Sequence, residues 1–187
     1  MSTTIEEIER HLKQLDLAYG ELENGALALS WDVDQFRDVD GDDDLWTVIR
    51  PMEGGELISM HVPFAYRLTN TQVAPALAVC AMITARVALV RYAYLEAEQC
   101  IVPTIHLSLE DGTLTTEQLR RCLYTLVNVV DRYHDVIRLA IEEGRVDPEL
   151  VDNPALCRPA DDLRDLLDLL PAEVLLEAAD RARARQA

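Results

Sequence analysis

The sequence predicts an α+β domain built on an antiparallel sheet of about five strands. Three observations predict it. Runs of alternating hydrophobic residues are bounded by Asn-Gly, Gly-Gly and Asp-Gly turns, helical periodicities bracket those runs, and one helical stripe in the second half outlasts every other element. The expected order is helix, three-strand meander, helix, two-strand hairpin and long helix, with a C-terminal helical hairpin. At 187 residues, 49% of them hydrophobic, the chain can bury one good core.

Thr3 stands three residues before Glu6, the spacing of a capping box, and Ile5, Ile8, Leu12 and Leu15 recur at helical intervals. A short amphipathic helix should end by Gly20. Asn24-Gly25 marks a tight turn, and Leu27, Leu29, Trp31 and Val33 alternate as in a half-buried strand. A second strand is expected over Leu45 to Arg50, after a loop in which Asp38, Asp40, Asp42, Asp43 and Asp44 surround Gly41. Glu53-Gly54-Gly55-Glu56 then turns the chain into a third strand, Leu57 to Tyr66. Ile58, Met60, Val62 and Phe64 should share one face of it, with Ser59, His61 and Pro63 on the other.

Asn70 or Thr71 can cap a second helix, with Pro75 near its first turn and Val73, Leu77, Cys80 and Met82 as candidates for burial. This helix has almost no polar face, so it should be buried completely, under the sheet or against another subunit. Val87 to Glu96 and Ile101 to Leu109 read as a hairpin about the polar Ala97-Glu98-Gln99 turn. Thr115 and Gln118 repeat the capping-box spacing. Leu119, Leu123, Leu126, Val130, Tyr133, Ile137 and Ala140 then form one long stripe that needs a packed partner, and Gly144 closes the helix. Asp147-Pro148, Asn153-Pro154 and Arg158-Pro159 are turn signals. The domain is therefore expected to span residues 1–144, a linker 145–160, and a leucine-rich helical tail 161–187.

This element order resembles the fold of type III secretion chaperones and of the related bacterial YbjN-like family. The residues that carry the resemblance are the strand Leu107-Ser108-Leu109-Glu110-Asp111-Gly112, the capped helix start Leu114-Thr115-Thr116-Glu117-Gln118-Leu119, and Asp131-Arg132-Tyr133 at the helix centre. The resemblance implies binding rather than catalysis. Chaperones of that kind are small acidic dimers that hold extended segments of a client, and YbjN-like members are described mainly as regulatory. The leucine-rich tail after Pro148 departs from the short chaperones.

The charge narrows the partners. Thirty-four acidic against 17 basic residues leave a net charge of -17, which repels phosphate backbones and makes nucleic acid a poor ligand. The basic cluster Arg181, Arg183 and Arg185 lies where cations suit a helix C-terminus. Cys80, Cys100, Cys122 and Cys157 are widely spaced in apolar surroundings, as reduced core thiols of a cytosolic protein are. The opening residues lack the basic and apolar regions of a signal peptide, and the uncharged stretch 68–85 is too polar and alanine-rich for a membrane span. A cytoplasmic protein with no membrane partner is expected.

No catalytic residue is expected. Ser30, Ser59 and Ser108 lack a nucleophile elbow, no cysteine lies in a catalytic motif, and no glycine pattern for phosphate exists. No metal site or cofactor is expected either. The aspartate loop misses EF-hand spacing, and no histidine or cysteine has a local partner at zinc-ligand spacing, although His61 and His106 lie in strands that can approach each other. The expected contacts to a partner are Trp31, Trp46, Val62, Phe64, Tyr92 and Tyr94 on the sheet and Leu166, Leu167, Leu175 and Leu176 in the tail. The leading expectation is a homodimeric, non-catalytic, chaperone-like or regulatory protein that binds a client segment in an apolar groove or at the sheet edge. The alternatives are a metal-dependent sensor or enzyme using the aspartate loop, and an acidic inhibitor of a basic protein.

Overall fold

A computed structural model describes residues 3–38, 41–110 and 112–157. Helix α1 (Ile5–Gln14) begins at a capping box one residue later than the spacing suggested, with Thr4 and Glu7 reciprocally bonded. Thr3 is instead buried, its amide donating to the Gly55 carbonyl at 3.0 Å. The sheet follows: β1 (Gly20–Glu21), β2 (Leu27–Asp32), β3 (Asp44–Met52), β4 (Leu57–His61) and β5 (Tyr66–Arg67), then helix α2 (Val73–Thr84), β6 (Arg91–Leu95) and β7 (Cys100–Ser108). Helix α3 (Thr116–Glu143) and the short α4 (Pro148–Asp152) complete the described elements.

The architecture is α+β, as the patterning predicts, with seven antiparallel strands rather than about five. Both extra strands are two-residue pieces. β1 extends the meander beside β2, and β5 is the remainder of the expected third strand. That strand does not run unbroken to Tyr66. It stops after His61, where the Val62 amide donates to the Pro103 carbonyl at 3.0 Å and Phe64 takes a φ of 51° in the turn. The turn reverses the alternation, so Val62 falls in the core at 2% exposure while Phe64 projects outward at 51%.

β7 is the hub of the sheet. It pairs with β4 and β5 along one side and β6 along the other, because Thr104 faces both His61 and Arg91 while Ile101 faces both Tyr66 and Tyr94. α3 lies across one face. Every residue of its predicted stripe is buried, Thr115 and Gln118 form the expected capping box, and Gly144 closes the helix at φ 68°. A left-handed residue at that position suits glycine, which lacks the Cβ that would clash.

α2 is covered on one side by the described residues. Ala76, Val79, Cys80 and Ile83 are buried, but Ala74, Ala78 and Ala81 remain exposed on a helix without a charged residue. Its start is also later, at Gln72, and neither Asn70 nor Thr71 provides a side-chain cap. In the stretch expected to link core and tail, α4 places Leu150 and Val151 in the core, capped by Asp147 with Pro148 in the first turn. The expected helical tail lies outside the described residues.

Candidate binding face on the open side of the sheet

Register assigns the faces. Antiparallel partners point to the same side, and neighbours along a strand point to opposite sides. The Trp31 ring meets Tyr124 of α3 edge-on at 5.5 Å, so Trp31 and its partner Leu45 face the helices. Residues one step along face the other way, and they form two rows. Arg50, Ser59 and His106 are direct cross-strand partners on β3, β4 and β7; Val48, His61, Thr104 and Arg91 are partners from β3 to β6. Each row sets a small hydroxyl residue between larger cationic or imidazole groups. Ser59 and Thr104 are buried as the floor, while Arg50, His106 and Arg91 are exposed and His61 is half-buried.

This face is basic in an acidic protein. Its strand carboxylates, Asp32 and Asp44, pair with each other at the far end of β2 and β3, about 20 Å along β3 from Arg50 at a strand rise near 3.3 Å. Neither Arg50 nor Arg91 makes an ion pair among the described residues, whereas Arg86, Arg120, Arg138 and Arg145 each hold a carboxylate. With acids outnumbering bases two to one, such arginines stand apart by position rather than for want of carboxylates.

The imidazoles are neutral near pH 7. Burial lowers the pKa of His61, helped by Arg50 and His106; burial, then Arg91 and Arg50, lowers that of His106, opposed by Glu53. Arg91 Nη2 donates to His106 Nδ1 at 3.0 Å, which requires an unprotonated Nδ1 and leaves the proton on Nε2. A carboxylate or phosphate arriving here would meet two guanidinium groups and two imidazoles able to take up protons. Trp46, 50% exposed beside Val48, adds an aromatic surface to the same face.

The residues expected to touch a partner divide. Trp46 and Phe64 are exposed, Phe64 with the Arg67 guanidinium 5.8 Å over its ring. Trp31, Tyr92 and Tyr94 point to the helix side and are half-buried, and the Trp31 indole donates to Thr47 Oγ1 at 2.8 Å. Val62 cannot reach a partner from the core. Leu166, Leu167, Leu175 and Leu176 lie outside the described residues. Arg50, Arg91, Ser59 and Thr104 were not singled out as contacts in the sequence, because only strand register brings them together; the approach of His61 and His106 was visible as two strand histidines.

Other chemistry is sparse among the described residues. No group of three or more His, Cys, Asp or Glu is placed to hold a metal ion, and no helix is long and apolar enough to cross a membrane. In the aspartate loop, Asp38 Oδ1 accepts from the Asp42 amide at 3.0 Å, and Gly41 has a φ of 91°. All four cysteines are free, and burial pushes the Cys80 thiol up to about 12, out of reach of thiolate chemistry near neutrality.

The sequence matches no family model and no curated protein. Among solved structures, the chain is similar to that of YbjN, a proposed transcription regulator from E. coli, with a TM-score of 0.49 and 18% identity over 71% of this chain and 92% of that one. The similarity is one of chain path and brings no functional residue with it.

Proposed function

We propose that this is a non-catalytic, cytoplasmic binding protein, chaperone-like or regulatory, that holds an acidic segment of a client protein on the open face of its sheet. The observation that carries this reading is the pair of rows Arg50–Ser59–His106 and His61–Thr104–Arg91 on a face whose strand carboxylates lie at its far end. Complementary charge speeds encounter and selects partners, and an exposed tryptophan supplies apolar area beside it. A net charge of -17 by itself favours a basic partner, whereas the two rows favour an acidic one. A homodimer belongs to the same proposal, supported by the uncharged outer side of α2, with Ala74, Ala78 and Ala81 exposed.

The test uses a photo-crosslinking residue at position 46 in the host cell, with position 22, an exposed leucine in the β1–β2 turn, as the control. A recurrent acidic protein captured from position 46 alone, and lost in the double variant Arg50→Glu, Arg91→Glu, supports the reading. Nucleic acid captured from that position, or capture indifferent to the double variant, overturns it. A glutamate-rich peptide should bind more tightly as pH falls from 7.5 to 5.5. Both imidazoles have lowered pKa values, and a bound carboxylate raises them, so binding takes up protons.

A further inference from the structure

The open face continues past its basic rows into an apolar end. Tyr66 stacks at 5.8 Å on His134, a buried histidine of α3 whose ring nitrogens have no hydrogen-bond partner among the described residues. Tyr66 therefore faces the helices and its neighbour Arg67 faces the open side, where register sets Arg67, Cys100 and Leu95 in one row. Val102 and Ala93 form the row between these and Thr104 with Arg91. Phe64 lies under the Arg67 guanidinium, 5.8 Å from its ring centroid. Trp46 belongs to the same end: Val48 faces His61, so Trp46, two residues further along β3, is level with Pro63 at the entrance to the Phe64 turn.

Three large apolar side chains, Trp46, Phe64 and Leu95, are thus exposed beside Arg50, Arg67 and Arg91. None of these arginines makes an ion pair among the described residues. The carboxylates closest to them stand at the margins: Glu53 acts on His106, Glu98 acts on Cys100, and Asp32 and Asp44 lie beyond Trp46 at the end of β2 and β3. A segment that alternates acidic and large apolar side chains would match both parts of the face.

The chain contains such a segment. Residues 161–170 interleave Leu163, Leu166, Leu167, Leu169 and Leu170 with Asp161, Asp162, Asp165 and Asp168, against a single base, Arg164. Its start is tethered near the face. Cys157, the last described residue, shares a hollow with Arg138, and Arg138 also lines the hollow bounded by Ala65, Tyr66 and Arg67. At about 3.3 Å per residue, the chain from Cys157 to Asp165 can span about 26 Å, enough to pass round β5 onto the open side.

Resting on the reading that this face holds an acidic segment, we infer that residues 161–170 of the same chain occupy it when no client is bound, so that a client must displace them. Arg50, Arg67 and Arg91 receive the aspartates, and Trp46, Phe64 and Leu95 receive the leucines. The tether lets modest contacts suffice. A short flexible link gives an effective concentration on the order of 1 mM, at which a segment of roughly 0.1 mM intrinsic Kd fills the face about nine-tenths of the time and weakens an outside peptide about tenfold.

The experiment uses the full chain with an aromatic photo-crosslinking residue at position 46, purified and irradiated at low micromolar concentration. The expected product has the mass of a monomer and joins position 46 to residues 161–170, and its yield falls sharply in the triple variant Asp162→Asn, Asp165→Asn, Asp168→Asn. No adduct to residues 161–170, an adduct of dimer mass, which would give the face to a second copy, or a yield indifferent to the triple variant overturns the inference. A glutamate-rich peptide separates this failure from that of the underlying reading. It should bind the triple variant about tenfold more tightly than the parent. Equal binding to both, lost in Arg50→Glu, Arg91→Glu, overturns the internal occupant and leaves the client face standing; binding to neither removes both.

Discussion

The two faces of the sheet are made from alternate residues of the same strands, yet they answer to different demands. The side under α3 is closed by Leu119, Leu123, Leu126, Val130 and Ile137, all fully buried against Ile49, Ile58, Met60 and Ile105. The open side carries Arg50, His61, His106, Arg91 and Trp46, held at cross-strand spacing with no helix packed on them among the described residues. The packed contacts therefore lie on one face, and the proposed function puts recognition on the other. A substitution should affect one property or the other according to the parity of its position.

The largest expected effect is on the closed side. Leu123→Ala should cost about 3 kcal/mol through lost burial and the cavity left behind, read by denaturant unfolding. A loss under 1 kcal/mol would break the division between the faces. Next comes a pH effect from His134. Its folded pKa of about 4 lies below the unfolded value of 6.5, so the unfolded chain binds the extra proton and stability falls as pH drops from 6.5 to 4, by about 3 kcal/mol at most. His134→Gln should flatten that part of the stability profile relative to the parent. Thr115→Ala should cost about 1 kcal/mol by removing the cap of α3, visible as a lower unfolding midpoint at unchanged slope. Smallest of all, Trp46→Ser on the open face should alter stability by no more than about 0.5 kcal/mol while weakening capture of an acidic peptide. If Trp46→Ser destabilised the protein as much as Leu123→Ala, the open face would be a packing surface.

The sequence was most informative where a signal is local. The Thr115–Gln118 box, the buried stripe and Gly144 define α3 from neighbouring residues alone, and the fold class follows from the alternations that precede it. It was less informative where the outcome depends on the far end of a contact. Val62 and Phe64 continue a perfect alternation, but the bond from Val62 to Pro103 ends the strand and sends the two side chains to opposite fates. Burial of α2 under the sheet or against another subunit was expected from its composition, and the described residues cover one side of it. The candidate binding face was hidden for the same reason: Ser59 follows Arg50 across a turn, but His106 lies far along the chain on β7, and only register sets the three in a row. His134 was legible as a helical histidine, but its lack of partners is a property of Phe36 and Tyr66, which arrive from other parts of the chain.

The hub position of β7 has a consequence during synthesis. Strands β2, β3 and β4 can pair as a meander once residue 61 is made, but the free side of β4 stays unpaired until residues 104 to 108 emerge, and the meander's apolar face stays bare until α3 follows. An unpaired strand edge beside exposed apolar surface is the situation in which nascent chains aggregate. At about 5 to 20 residues per second, the interval from residue 61 to residue 143 lasts several seconds, and a ribosomal pause within it would lengthen the chain's most vulnerable period.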